Sequence, residues 1–175
     1  MKKYSFLLII GIIVWIVFVI IFVLPWITLA LGLYISPNPP EPTIKYGEFP
    51  FEIIYEINGE SYTVNDIFVC KYEGIAIDEG SGKHRTWSGY LKSTGKHGVI
   101  LLEDEKRIIY CYVGDEEIYM DDQDNCEKEP LVPYVYCTIK TKNYEDRLSE
   151  KEILEEYNIK LVGWTLSEPI ENSFE

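Results

Sequence analysis

The sequence predicts a mainly β fold: a β-sandwich or barrel-like ectodomain with one short C-terminal α-helix, preceded by one N-terminal transmembrane helix. Three observations lead there. Residues 6–35 are almost wholly apolar. Beyond residue 42, short runs alternate apolar and polar residues with period two, bounded by Gly- and Asn-containing turn signals. Only near Ser149 does the apolar spacing turn helical behind a capping signal.

The first five residues are too few to fold and are expected to form a cytoplasmic tail. Residues 6–35 are assigned to a transmembrane signal-anchor, with 6–24 as its core span. Of the 19 residues from Phe6 to Leu24, 17 are Phe, Leu, Ile or Val, the exceptions being Gly11 and Trp15. At the helix centre each such residue favours insertion by roughly 0.3–0.6 kcal/mol, so the run inserts with roughly 5–10 kcal/mol in hand. A helix of a soluble core would carry a polar stripe, and this run has none. Lys2 and Lys3 precede it and no basic residue follows before Lys45, which places the N-terminus in the cytoplasm by the positive-inside rule. Pro25 removes a helical hydrogen bond and is expected to kink or end the helix. Trp26 and Tyr34 suit the outer interface. The competing reading is a signal peptide cleaved near Ala30, which would release the rest; the length of the apolar run favours the anchor.

Residues 36–42 contain four prolines and predict a stiff polyproline spacer that lifts the domain off the lipid. Residues 43–168 form the extracytoplasmic acidic β-rich domain, and 169–175 a polar, frayed tail. Phe51, Ile53, Tyr55 and Ile57 alternate with Glu52 and Glu56, and Asn58-Gly59 then marks a hairpin. Tyr62 to Tyr72 reads as the return strand, followed by Arg85–Leu91, Val99–Glu103, Arg107–Val113 and Val132–Thr141. Gly114-Asp115 is expected to turn into a strand over Glu116–Met120. Tyr134, Tyr136 and Thr138 share one face. Ser149 and Glu152 form a capping box before Ile153, Leu154 and Tyr157. A last strand spans Lys160–Leu166. The outer domain holds 12 of the 14 tyrosines; in strands they are expected mainly to fill the core and cross-strand pairs, with an exposed binding platform as the alternative.

All 29 acidic residues follow the apolar run, against 14 of the 16 Lys and Arg, a net −15. That charge disfavours nucleic acid and favours a basic protein or peptide partner. Cys70, Cys111, Cys126 and Cys137 are disulfide candidates in an oxidising exterior. Cys111 and Cys137 are each in phase with core positions and are expected to face inward. No Cys-x-x-Cys or Cys–His spacing supports zinc. Asp121, Asp122, Asp124, Asn125 and Glu127 offer oxygens for weak Ca²⁺ binding, without the glycine and distant glutamate of an EF-hand.

No cofactor is expected. Ser93-x-x-Lys96 matches a penicillin-recognising nucleophile motif but lacks its partner motifs. Gly82-Lys83 and Gly95-Lys96 lack the rest of a phosphate loop. His84-Arg85 with Trp87 near Asp78 and Glu79 marks a small polar site or, more simply, a charged turn beside a core tryptophan.

The stretch from Pro39 to Glu60, with Tyr46-Gly47-Glu48-Phe49-Pro50-Phe51 at its centre, resembles uncharacterised single-pass membrane proteins of low-GC Gram-positive bacteria, as does the layout of anchor and outer domain. That resemblance implies no known activity and transfers no site residue. The leading expectation is a non-enzymatic binding module at the cell envelope. Its rivals are an immunity-type inhibitor of a basic toxin or hydrolase, and a carboxylate-dependent extracellular hydrolase, which would need a pocket gathering close carboxylates. Protease added to sealed right-side-out vesicles is expected to degrade residues 43–175; protection until lysis would contradict the orientation.

Overall fold

The computed structural model describes residues 2–78, 80–123, 131–141 and 144–175. Two compact units divide the chain: Met1–Pro39 with Ile75–Arg85, and Pro40–Gly74 with Thr86–Glu175.

In the first unit, α1 (Lys2–Phe18) runs through a π-helical turn, Val19–Val23, into α2 (Leu24–Ile35). The segment Leu8–Ile35 is long and apolar enough to cross a membrane, and none of it is buried within the protein. Pro25 does not end the helix, which continues to Ile35. The Leu24 N–H donates to Val19 O, five residues back, and such a π turn gives the backbone slack just ahead of the residue that cannot donate. Thr28 Oγ1 then donates to the Pro25 carbonyl at 2.8 Å. At the far end the Ser36 N–H donates to Gly32 O at 3.0 Å.

Eight strands follow: β1 (Tyr46–Ile57), β2 (Glu60–Asp78), β3 (Gly82–Leu91), β4 (Val99–Glu103), β5 (Arg107–Tyr112), β6 (Tyr134–Ile139), β7 (Tyr144–Leu148) and β8 (Ile159–Leu166). They form two four-stranded sheets, ordered β3-β2-β1-β8 and β4-β5-β6-β7. The alternation of β1 is realised in burial: Phe49, Phe51, Ile53 and Tyr55 are inside and the residues between them are not. The Asn58-Gly59 turn has φ of 54° and 83°, the left-handed pair that a two-residue hairpin needs to match strand twist.

The expected strand over Glu116–Met120 is instead a short helix, α3 (Glu116–Tyr119). Core packing decides it. A strand would send Tyr119 and Met120 to opposite faces, whereas both are fully buried. The Tyr119 hydroxyl donates to Val113 O at 3.0 Å, and its ring centroid lies 4.5 Å from Phe49 and 5.3 Å from Phe68. Strand β7, Tyr-Glu-Asp-Arg-Leu, has no apolar alternation to reveal it; it exists because β6 offers it a partner in register.

Helix α4 (Glu150–Tyr157) carries the predicted capping box: Glu152 N–H donates to Ser149 Oγ at 3.3 Å, and Ser149 N–H to Glu152 Oε2 at 2.8 Å. Asn158 closes it in the left-handed conformation. Residues from both sheets, α3 and α4 join one buried cluster that includes Phe49, Phe68, Ile109, Val135, Ile153 and Ile159.

The end of the chain is pinned rather than frayed. Glu41 and Glu175 exchange backbone hydrogen bonds at 3.0 Å, and Pro42 bridges Phe174. The Asn172 amide accepts from Ile44 N–H and donates to Ile44 O, each at 2.9 Å. A single side chain thereby satisfies a backbone edge that would otherwise face water. Ser149→Ala removes one half of the cap on α4 and is expected to lower stability by about 1 kcal/mol, read as a shift in the urea midpoint with an unchanged slope.

Candidate functional site

The site begins with the pairing of β5 and β6. Ile109 faces Cys137 and Cys111 faces Val135 across the ladder, while Tyr110 faces Tyr136 and Tyr112 faces Tyr134. The first four side chains are buried in the core. The period of two then forces the four tyrosines onto the other face of the sheet. There they touch one another: ring centroids are 5.1 Å apart for Tyr110–Tyr112 and 5.6 Å apart for Tyr112–Tyr134, Tyr112–Tyr136 and Tyr134–Tyr136. Edge-to-face and offset contacts of this kind fix the rings with their faces partly open. The cross-strand pairing expected of tyrosine is therefore present, and it builds a half-exposed aromatic platform outside the core.

Charged groups rim the platform. Arg147, on β7 opposite Tyr136, places its guanidinium 4.8 Å from the Tyr134 ring centroid, a cation–π distance. The Tyr134 hydroxyl donates to Asp115 Oδ1. Thr138 Oγ1 donates to Glu145 Oε1 at 3.3 Å. Asp115, Glu116, Glu145, Tyr112, Tyr134 and Tyr136, with Gly114, line an open cavity of about 230 Å³. A neighbouring hollow of about 210 Å³ lies over Tyr110, Tyr112 and Glu145, with Lys96 and His97 at its edge. The Tyr110 hydroxyl is shielded from water and has no hydrogen-bond partner among the described residues.

Glu116 is held in an unusual place for a carboxylate. A Cβ on Gly89 would come within 2.0 Å of Glu116 Oε1 and 2.4 Å of Phe68 Cζ. Only a glycine on β3 therefore leaves room for this carboxyl against the core ring. Burial raises the Glu116 pKa, and the adjacent Asp115 and Glu117 charges add to the shift. Burial also raises the Tyr110 and Tyr112 phenols, and burial with the Asp115 hydrogen bond raises Tyr134. All three phenols stay neutral and act as aromatic faces and hydroxyls at physiological pH.

No known family, curated protein or solved structure matches the chain.

The other sequence-derived candidates resolve differently. Cys70, Cys111 and Cys137 are buried free thiols, so the expected disulfide is not formed among the described residues. Cys111 and Cys137 do face the core as the phase of their strands predicts. Their register makes them diagonal rather than opposite; diagonal neighbours lie about 7–8 Å apart, too far for a bridge without backbone movement. Burial pushes the Cys111 thiol up to about 12 and raises Cys70 as well, which leaves both unreactive. Cys126 lies outside the described residues.

Of the Ca²⁺ candidates, Asp124, Asn125 and Glu127 also lie outside. Asp122 Oδ2 accepts from Trp87 Nε1 at 2.7 Å, and Asp121 has φ of 53°. Among the described residues no group of three His, Cys, Asp or Glu is placed to hold a metal ion. His84 Nδ1 sits 3.3 Å from Asp78 Oδ2. Trp87 bonds Asp122 instead of joining them, and Glu79 is outside the described residues. Ser93 Oγ donates to Asp66 Oδ2, in the exposed turn after β3.

Because the Glu116 carboxyl titrates higher in the folded chain than its ordinary 4.5, its ionisation weakens the fold. The folded state holds the proton more tightly, so stability is lost as pH rises through the folded pKa and is kept below the unfolded one. Glu116→Gln is expected to stabilise the protein at pH 7, with an advantage that fades below about pH 4.5; urea melts at both pH values check this.

Proposed function

We propose that this chain is a membrane-tethered binding module at the cell envelope, and that its tyrosine face takes a basic segment of a partner protein or peptide. The tyrosine quartet with its carboxylate rim carries the reading. A lysine or arginine side chain laid on Tyr112, Tyr134 or Tyr136 would gain cation–π attraction of about 0.5–2 kcal/mol, depending on how far it is desolvated. Asp115, Glu116 and Glu145 surround the same cavity. Arg147 over Tyr134 is an internal instance of the contact. The overall charge of −13 would steer a basic partner toward the domain and make association salt-dependent.

The tether is read from the apolar helix, with the N-terminus in the cytoplasm and the β domain outside. Lys2 and Lys3 ahead of the helix support that orientation. The two sheets are read as a sandwich closed over one core, supported by a buried cluster among the described residues to which both contribute.

One observation favours a second reading. The same cavity gathers three carboxylates, one with a raised pKa, as a carboxylate-dependent hydrolase would require. Its volume of about 230 Å³ falls below the roughly 300–1,000 Å³ of typical small-molecule sites, so binding is preferred.

The test is titration of the full chain in nanodiscs with fluorescent oligolysine and oligoarginine peptides, with oligoglutamate as control. Saturable binding is expected for the basic peptides only. Tyr136→Ala and Glu145→Gln are each expected to weaken it about three- to tenfold, in line with contacts of about 0.7–1.4 kcal/mol. Binding unchanged in both variants would refute the assignment of the face. Turnover of an oligosaccharide or peptide substrate that Glu116→Gln abolishes would establish the hydrolase reading instead.

A further inference from the structure

We propose that the tip of the β2–β3 hairpin lies in the phospholipid headgroup zone beside the outer end of the membrane helix, tied there by Lys83. The inference rests on the anchor reading of residues 6–35. It is carried by a different set of contacts from those at the tyrosine face.

The last turn of any α-helix leaves carbonyl oxygens without an intrahelical donor, at the negative end of the helix dipole. At the end of α2 the Lys83 ammonium supplies donors. It lies 3.1 Å from Tyr34 O and 2.6 Å from Ser36 O. The neighbouring Gly82 backs onto Leu33, whose Cδ2 would lie 3.9 Å from a Cβ there. Lys83 is 47 residues from Ser36 in sequence, so these bonds join the hairpin tip to the helix as a tertiary contact.

The tip is internally braced. Asp78 Oδ1 accepts from the N–H groups of Gly80 at 2.7 Å and Ser81 at 2.6 Å, and these bonds hold its carboxyl below the ordinary range. Asp78 Oδ2 faces His84.

Helix length sets the depth. Leu8–Ile35 spans 28 residues, a rise of about 42 Å at 1.5 Å per residue. A bilayer is about 30 Å thick in hydrocarbon and about 40–45 Å with its headgroup layers. A helix that starts in the inner headgroup layer therefore delivers Tyr34 and Ile35 to the outer one.

The surface chemistry suits that layer. Tyr34, Ile35 and Ile77 are 78%, 75% and 51% exposed, apolar and aromatic surface of the kind found at membrane interfaces. Lys83-His84-Arg85 is the one run of three consecutive basic side chains in the sequence. It stands out on an acidic domain, and it complements lipid phosphate.

A spin label at Ile77→Cys tests the depth. A Cys126→Ser background isolates it, since Cys70, Cys111 and Cys137 are buried. The full chain is reconstituted into phosphatidylcholine–phosphatidylglycerol vesicles, and a label at Glu105→Cys, in the β4–β5 turn, serves as the aqueous reference. At Ile77 the collision rate with an aqueous nickel chelate is expected to be several-fold lower, and that with dissolved oxygen higher. Lys83→Met is expected to bring the Ile77 label to the Glu105 values while circular dichroism stays unchanged. An Ile77 label as open to nickel as Glu105 in vesicle-bound wild type overturns the proposal. An Ile77 label unmoved by Lys83→Met overturns the role of Lys83. Loss of the protein from vesicles in an alkaline wash would instead remove the anchor reading beneath it.

Discussion

The register between β5 and β6 is the constraint on which most of this domain depends. With Ile109 opposite Cys137 and Cys111 opposite Val135, four core side chains point inward and four tyrosines point outward. A slip of one residue would reverse all eight. It would strand four phenols in the core, each needing a hydrogen-bond partner there, and expose two thiols and two aliphatic side chains. Core and candidate site are opposite faces of one ladder. Changes that loosen the core side are therefore felt as misplacement of the tyrosine rings.

The aromatic core adds a second link between packing and site. Tyr119 packs with its ring tilted against Phe49 and Phe68 and holds α3 in place through its bond to Val113 O. Helix α3 begins at Glu116, so the fixed Tyr119 sets where that carboxyl falls. Gly89 gives it space against Phe68. A carboxylate half-sequestered from water is unfavourable for the fold by itself, and a bound cation would offset that cost. Elsewhere the ion pairs are exposed, such as Lys92–Glu48 at 2.7 Å and Lys140–Glu103 at 2.8 Å. Pairs of that kind are screened by solvent, and they do more to temper the surplus negative charge than to hold the fold.

The three described thiols contribute as small apolar core groups. Cys70 and Cys111 are fully buried, and Cys137 nearly so. Burial keeps Cys70 and Cys111 protonated and places all three out of easy reach of oxidants. The fold thus draws its stability from packing among aromatic and branched side chains. The hydrogen-bonded C-terminal residues fasten the start of the domain through Asn172 and the Glu41–Glu175 pair.

What the sequence determined on its own is what local periodicity encodes. The apolar run from Phe6 has no polar face and so predicts a lipid-facing helix. The β1 alternation, the Asn58-Gly59 hairpin, the Ser149–Glu152 cap and the in-phase positions of Cys111 and Cys137 all read directly from spacing, because each is a property of residues adjacent in the chain. Tertiary structure alone decided the rest. Residues 116–119 became a helix because Tyr119 and Met120 both find room in one core. Strand β7 formed because β6 presented an unpaired edge. Two inward cysteines stayed unbridged because their register is diagonal. The tyrosine face gained its charged rim because Asp115 and Glu116 converge on it with Glu145 and Arg147, some thirty residues further along the chain. Period and propensity act over a few residues. Register and convergence are set by contacts across tens of residues, where packing of the whole core chooses among local options of nearly equal energy.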